Sequence, residues 1–417
     1  MDRISNLPDE IICHIGSFLS AKEAAFTTVL AKKWRNLFTI IHKLHFDGSL
    51  KNGESFTDFV DGVLALPATS RVRNFSLKWF AHVKNDELIN RCLCHVLKLG
   101  VMALELQIND KEGYSLPFEI FTCETVSELT LGYGFAIDIL PANVFLPSLK
   151  TLSLYKVGFF EFGRCAFKTL LGACPLLEEL TIRCLNWEHW RWSRVVSSPT
   201  LKRLTITRGG WSSFDASDFK SVSFETPSLA YLFYSDYVPK RYLNVDFSSL
   251  VEAKLHLCPE EHYNWDRTDT ARFHPINLLN GLKDVESLNL CSIMSLDMFY
   301  VFREALPVFE KLLHISVALS NFCWYPLPLL IKKSPNLKTL TIDGRLHYRS
   351  FYYCPESTVC LCVSEYAFLL KCPLEILKIT EYYGSLEELI QMKYILGKLS
   401  CLELWWKFIL RHLMKES

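Results

Sequence analysis

The sequence predicts an α/β solenoid: short parallel strands, each followed by a returning helix or turn, behind a small three-helix unit. Three observations predict it. From Val72 onward one phrase recurs, reading apolar, two variable, apolar, one variable, apolar. Proline holds a fixed place before several copies of that phrase. Met1 to Thr39 carry a helical pattern of another kind.

Composition sets the frame. At 417 residues the chain can hold roughly two or three domains or one long array. Half of it is hydrophobic and only 22% is charged, so it is expected to pack rather than stay disordered. A formal net charge of zero offers no global pull toward nucleic acid or an anionic membrane. Charges and a proline interrupt the N-terminal stretch where a secretory signal needs an apolar run. Fifteen cysteines without such a signal imply reduced thiols and a cytosolic or nuclear setting. The longest apolar stretch, Ile315 to Ile331, contains Asn321, Pro326 and Pro328, and reads as strand, turn and short helix rather than a membrane span.

At the front, Pro8 suits a first helical position, and Asp9 and Glu10 complement the positive end of the helix dipole. Ile11, Ile12, Ile15, Phe18 and Leu19 form one apolar stripe. Ser20 and Glu23 write a capping box for a second helix carrying Ala24, Phe26, Val29 and Leu30. A basic-aromatic turn, Lys32-Lys33-Trp34-Arg35, closes the unit. So short a piece has too small a core to stand alone and needs a partner.

These residues resemble the F-box, which ties a substrate receptor to the adaptor of an SCF-type cullin–RING ubiquitin ligase. The match runs through Leu7-Pro8-Asp9-Glu10-Ile11, Ile15, Phe18-Leu19, Val29-Leu30 and Trp34-Arg35; Gly16, Ala31 and Lys33 depart from it. The resemblance implies that Leu7, Pro8, Ile11, Ile15, Leu19, Val29, Leu30 and Trp34 contact a Skp-type adaptor and, through it, a cullin. The alternative is that some of them, Trp34 above all, hold the helices together.

Next come a first strand at Leu44-His45-Phe46-Asp47 and a helix from Phe56 to Leu66, ending before Pro67. The phrase then starts at Val72, Val101, Val126, Leu149, Leu177, Leu201, Leu229, Leu250, Val285, Leu312, Leu337, Leu374 and Leu399. Successive starts lie 21 to 37 residues apart, which is the leucine-rich-repeat period. Pro147, Pro175, Pro199, Pro227 and Pro335 each stand two residues before a start, where they end the preceding helix. Asp86 to Leu99 reads as a returning helix with a stripe of Leu88, Cys92, Leu93 and Val96 and a stop at Gly100; Phe167 to Gly172 and Leu327 to Lys333 read as shorter ones. The two long intervals, 250 to 285 and 337 to 374, hold insertions expected to emerge as loops.

Wording such as LPSLKTLSL and SPNLKTLTI resembles plant F-box/leucine-rich-repeat proteins, and the tail from Lys371 to Trp406 resembles their FBD segment. In that tail Ser385 and Glu388 form a capping box, with Leu386, Leu389, Ile390, Tyr394 and Leu396 as the expected inner stripe. The domains are therefore 1–45 F-box, 46–71 linker with the first strand and helix, 72–345 leucine-rich repeats, and 346–417 insertion and FBD-like segment.

No catalytic constellation assembles: there is no phosphate loop, no G-x-S-x-G and no paired-histidine metal spacing among the twelve histidines. Cys354, Cys360, Cys362 and Cys372 fit no zinc pattern. No cofactor is expected, and nothing marks a small-ligand pocket inside the solenoid. Catalysis then belongs to partners, and the chain supplies proximity. The variable strand positions, including Lys150, Thr151, Ser153, Glu178, Glu179, Thr181, Lys202, Arg203 and Thr205, are expected to line a protein-recognition face of mixed charge. Glu179 and Arg203 are candidate target contacts, with Trp187, Trp190 and Trp192 beside Arg191 as a candidate anchor cluster. Two rivals stand: a scaffold that binds the adaptor without delivering targets, and a repeat protein stacking nucleic-acid bases on those tryptophans.

Overall fold

The computed structural model describes residues 7–8, 11, 15, 43–48, 56–66, 68, 72–79, 86–108, 115–132, 135–137, 139–159, 166–185, 195–209, 221–258, 275–319, 326–346 and 374–398. The chain divides into two compact units, Met1–Thr200 with Arg208–Gly210, and Leu201–Thr207 with Trp211–Ser417. All of residues 1–42 but 7, 8, 11 and 15, the tryptophan segment, the four-cysteine stretch, both long insertions and the phrase at Leu399 lie outside the described residues.

In the first unit six strands lie parallel in chain order: β1 Lys43–Asp47, β2 Asn74–Trp79, β3 Ala103–Ile108, β4 Glu128–Gly132, β5 Thr151–Tyr155 and β6 Glu179–Leu185. Each strand from β2 on begins two residues into a copy of the phrase, and the three apolar positions of every copy are buried. Leu129, Leu152 and Leu180 stand in register across β4, β5 and β6 at 0% exposure, a continuous leucine row. One repeat cannot cover such a row, and stacking covers it. Helices α1 (Phe56–Leu64) and α2 (Asp86–Lys98) return the chain to β2 and β3, a 3-10 turn at Phe118–Thr122 returns it to β4, and α3 (Ala166–Gly172) to β6. In α2 the buried side chains are Ile89, Cys92, Leu93 and Val96; Leu88 is only half-buried, and Ile89 takes its place. Gly100 follows at φ +77°, the left-handed stop its position predicts.

The second unit holds seven parallel strands in chain order: β8 Arg203–Arg208, β10 Tyr231–Tyr237, β12 Glu252–Cys258, β13 Ser287–Leu290, β14 His314–Ala318, β15 Thr339–Arg345 and β16 Ile376–Glu381. The returning legs depart from the helical expectation. The first unit's last return, after β6, already includes a short strand, β7 (Val195–Ser197). After β8 and β10 come β9 (Ser221–Glu225) and β11 (Arg241–Asp246), which pair in parallel with each other. The reason is local: SVSFE alternates with period two around Val222 and Phe224, a pattern that suits a strand and gives a helix no face. Phe224 lies 5.3 Å from Tyr234 and 5.4 Å from Phe247, ring to ring, which ties β9 to the strand β10. The helical legs of this unit are α4 (Ile276–Gly281), α5 (Ile293–Val301) and α6 (Leu327–Lys332). Asn277 on α4 donates to the Tyr242 and Leu243 carbonyls at 2.7 and 2.9 Å. A Cβ on Gly281 would meet Val245 Cγ1 at 2.5 Å, so α4 reaches β11 through a glycine.

Only Pro175 and Pro335 follow a returning helix; Pro147 follows a turn, and Pro199 and Pro227 follow the strands β7 and β9, so the expected helix-ending role is corrected to a turn-forming one. Leu149 N–H donates to Leu146 O, Leu177 to Cys174 O, Leu229 to Thr226 O and Leu337 to Ser334 O, so Pro147, Pro175, Pro227 and Pro335 stand second in four-residue turns. Beyond each turn one carbonyl accepts two amides of the next repeat: Ser127 O takes Lys150 and Thr151, and Lys202 O takes Ala230 and Tyr231. Those paired bonds fix the register before the strand begins.

The tail helix α7 spans Leu386–Lys398. Its capping box forms as expected: Glu388 N–H donates to Ser385 Oγ at 3.2 Å, and Ser385 N–H to Glu388 Oε2 at 3.3 Å. The expected stripe is corrected. Leu386 and Leu389 are 74% and 51% exposed, and the buried side chains are Glu388, Gln391, Met392 and Ile395. A box that turns Glu388 inward rotates the helix so that Met392 and Ile395, four and seven residues on, share its face.

Candidate recognition face

Alternation places the third and fifth residues of each phrase on the face of the sheet opposite the leucine rows. In the first unit, register aligns Ser76, Glu105, Thr130, Ser153 and Thr181 across β2 to β6. Small hydroxyl side chains fill its middle. One of its carboxylates is matched internally: Glu105 accepts from Ser76 Oγ at 2.8 Å and Gln107 Nε2 at 2.7 Å, and lies 3.7 Å from Lys78 Nζ. Glu179 is on this face, half-buried at the start of β6 and in register with Thr151. Lys150 and Glu178 stand just before their strands, and the Lys150 carbonyl accepts the Glu178 and Glu179 amides.

In the second unit the same positions read Arg203, Tyr231 and Glu252 in one row, and Thr205, Phe233, Lys254, Asn289, Ser316, Thr341 and Lys378 in the next. The Arg203 guanidinium lies 4.2 Å over the Tyr231 ring. Lys254 Nζ lies 5.5 Å from the same ring and 3.2 Å from Glu252 Oε1. Its bond to Glu252 pushes the lysine's pKa up, so it stays charged at neutral pH. Further along, burial pushes the His256 pKa down, favouring neutral imidazole. Tyr231, Phe233, Glu252 and Lys254 were not singled out from the sequence, although their places in the phrase were signal enough.

At the front, Pro8 is exposed, Ile11 is 45% exposed and donates its N–H to Pro8 O at 3.1 Å, and Leu7 and Ile15 are half-buried. Leu19, Val29, Leu30 and Trp34, like Trp187, Trp190 and Trp192, lie outside the described residues. Among the described residues no group of histidine, cysteine and carboxylate side chains is arranged to hold a metal, and no helix is long and apolar enough to cross a membrane.

Comparison with known proteins fits this arrangement. Residues 89–248 match the family model for the leucine-rich repeats of the FBD-associated F-box protein At5g56370. Over 97% of this chain and 92% of its own, F-box/LRR-repeat protein At3g62440 of Arabidopsis thaliana is 66% identical. The putative F-box/LRR-repeat protein At5g15620, also of Arabidopsis thaliana, is 52% identical over the same shares. Among solved structures, a leucine-rich-repeat-containing protein of Legionella pneumophila aligns at 12% identity over 87% of this chain and 94% of its own. Its TM-score of 0.27 is too low to carry an argument.

Proposed function

The chain belongs to the plant F-box/LRR-repeat family, and from that premise we propose that it is the substrate receptor of an SCF-type ubiquitin ligase. Its F-box binds a Skp-type adaptor and, through it, a cullin; its sheet face holds a target protein. What supports this is the joining, in one chain, of a front segment whose sequence pattern predicts helices with too small a core to stand alone and a repeat array with a charged and aromatic face. The chain performs no bond chemistry. It holds a target lysine near a ubiquitin thioester carried by its partners, which raises effective concentration and requires neither a catalytic side chain nor a resident cofactor. Reduced cysteines suit a cytosolic or nuclear setting.

Leu7, Pro8, Ile11, Ile15, Leu19, Val29, Leu30 and Trp34 form the adaptor contact in this proposal, with Trp34 as the aromatic anchor. Co-purification with a Skp-type adaptor tests it. The full chain carrying Trp34→Ala with Leu7→Ala is expected to lose the adaptor while keeping the wild-type circular dichroism spectrum. Undiminished capture by that double variant refutes the assignment.

A further inference from the structure

Resting on the receptor role just described, we propose that the second unit's patch of Arg203, Tyr231, Phe233 and Lys254 selects an extended target segment bearing an acidic side chain next to an apolar one. Register places Tyr231 between Arg203 on β8 and Glu252 on β12, and Phe233 between Thr205 and Lys254. Two cations therefore stand diagonally about two half-exposed aromatic rings, roughly two strand spacings, or about 10 Å, apart.

The two cations are not equivalent. Lys254 has its counter-ion in Glu252 at 3.2 Å. Arg203 is exposed, and among the described residues no carboxylate lies within ion-pair range of it; the Tyr231 ring is what it rests on. Contact with the ring at 4.2 Å restrains the guanidinium. A planar fork held that way loses little freedom when it takes a carboxylate by two parallel bonds. Phe233, one row along, offers the neighbouring side chain an apolar contact. On the first unit's face the cation Lys78 is matched by Glu105, which also takes Ser76 and Gln107. An exposed arginine on tyrosine, with a second ring beside it, is also the composition in which interface energy concentrates.

The test is panning of a random phage-displayed peptide library on the immobilised full chain. The expected result is enrichment of peptides with Asp or Glu adjacent to an apolar or aromatic residue. Binding of those peptides should fall about tenfold or more in Arg203→Glu, the loss typical of removing one partner of a buried charged contact. Tyr231→Ala should weaken it, while Arg203→Lys should retain part of it. Glu128→Lys on the first unit's face should leave it unchanged. Arg203 is exposed, so these changes spare the core, and circular dichroism verifies that they do. No enrichment, enrichment of basic peptides, or acidic binders indifferent to Arg203→Glu each overturns the proposal. The same preparations are assayed for adaptor capture. Acid-selective binding without adaptor capture upholds the patch and removes the receptor role; adaptor capture without acid selectivity does the reverse.

Discussion

The two units repeat one phrase and build different things from it. In the first, α1, α2 and α3 return the chain behind the sheet, and the middle row of the opposite face carries Ser76, Thr130, Ser153 and Thr181 hydroxyls. In the second, β9 and β11 take the place of two returning helices, aromatic rings fill the space behind, and the front carries the Arg203–Tyr231–Lys254 cluster. The buried positions of the phrase specify only that a parallel strand forms and which side is core. The residues between phrases choose the return, and the variable positions within it choose the face.

The largest expected effect probes whether strand returns pack as firmly as helical ones. Phe224→Ala removes a ring held between Tyr234 and Phe247, and Phe167→Ala on α3 removes one 5.4 Å from Phe159. Both residues are at most 1% exposed, and each truncation is expected to cost about 3–5 kcal/mol in urea unfolding. A loss below about 1 kcal/mol for Phe224→Ala alone would show that β9 is not locked to the sheet behind it.

A second difference is electrostatic. Burial on α5 pushes the Asp297 carboxyl up to about 7. Between its ordinary value near 4 and about 7, the native state keeps a proton that the unfolded chain has released. Stability therefore falls as pH rises through that window, and the penalty is complete above it. Asp297→Asn should raise the melting temperature more at about pH 8 than at about pH 5. Equal shifts at both pH values would place the ionisation elsewhere.

The smallest effects compare two glycines. Gly281→Ala in the second unit meets Val245 Cγ1 and should cost about 1–3 kcal/mol through overpacking. Gly100→Ala in the first unit meets no atom within 4 Å, so its cost of about 1 kcal/mol comes from φ +77° alone. Chemical denaturation ranks the pair, and a reversed order would mean that α4 shifts freely on β11.

Much of this was legible in the sequence. Each phrase from Val72 to Leu374 became a parallel strand, because its fourth and sixth positions share one face at period two, while its first apolar residue is buried just ahead of the strand. Gly100 and the Ser385–Glu388 box were readable from residue type, since each acts within a few residues of itself. The inner face of α7 was not. Five apolar residues suggested one stripe, and the inward turn of Glu388 selected another.

The same division holds for the candidate site. Sequence alone determined which residues face away from the core, Glu179 and Arg203 among them, because alternation along a strand is a local property of the backbone. Only the tertiary structure decided that Arg203 rests on Tyr231 while Lys254 is matched by Glu252. Arg203 and Tyr231 sit on different strands, 28 residues apart, and only parallel register brings them side by side, whereas Lys254 and Glu252 are neighbours on one face of β12.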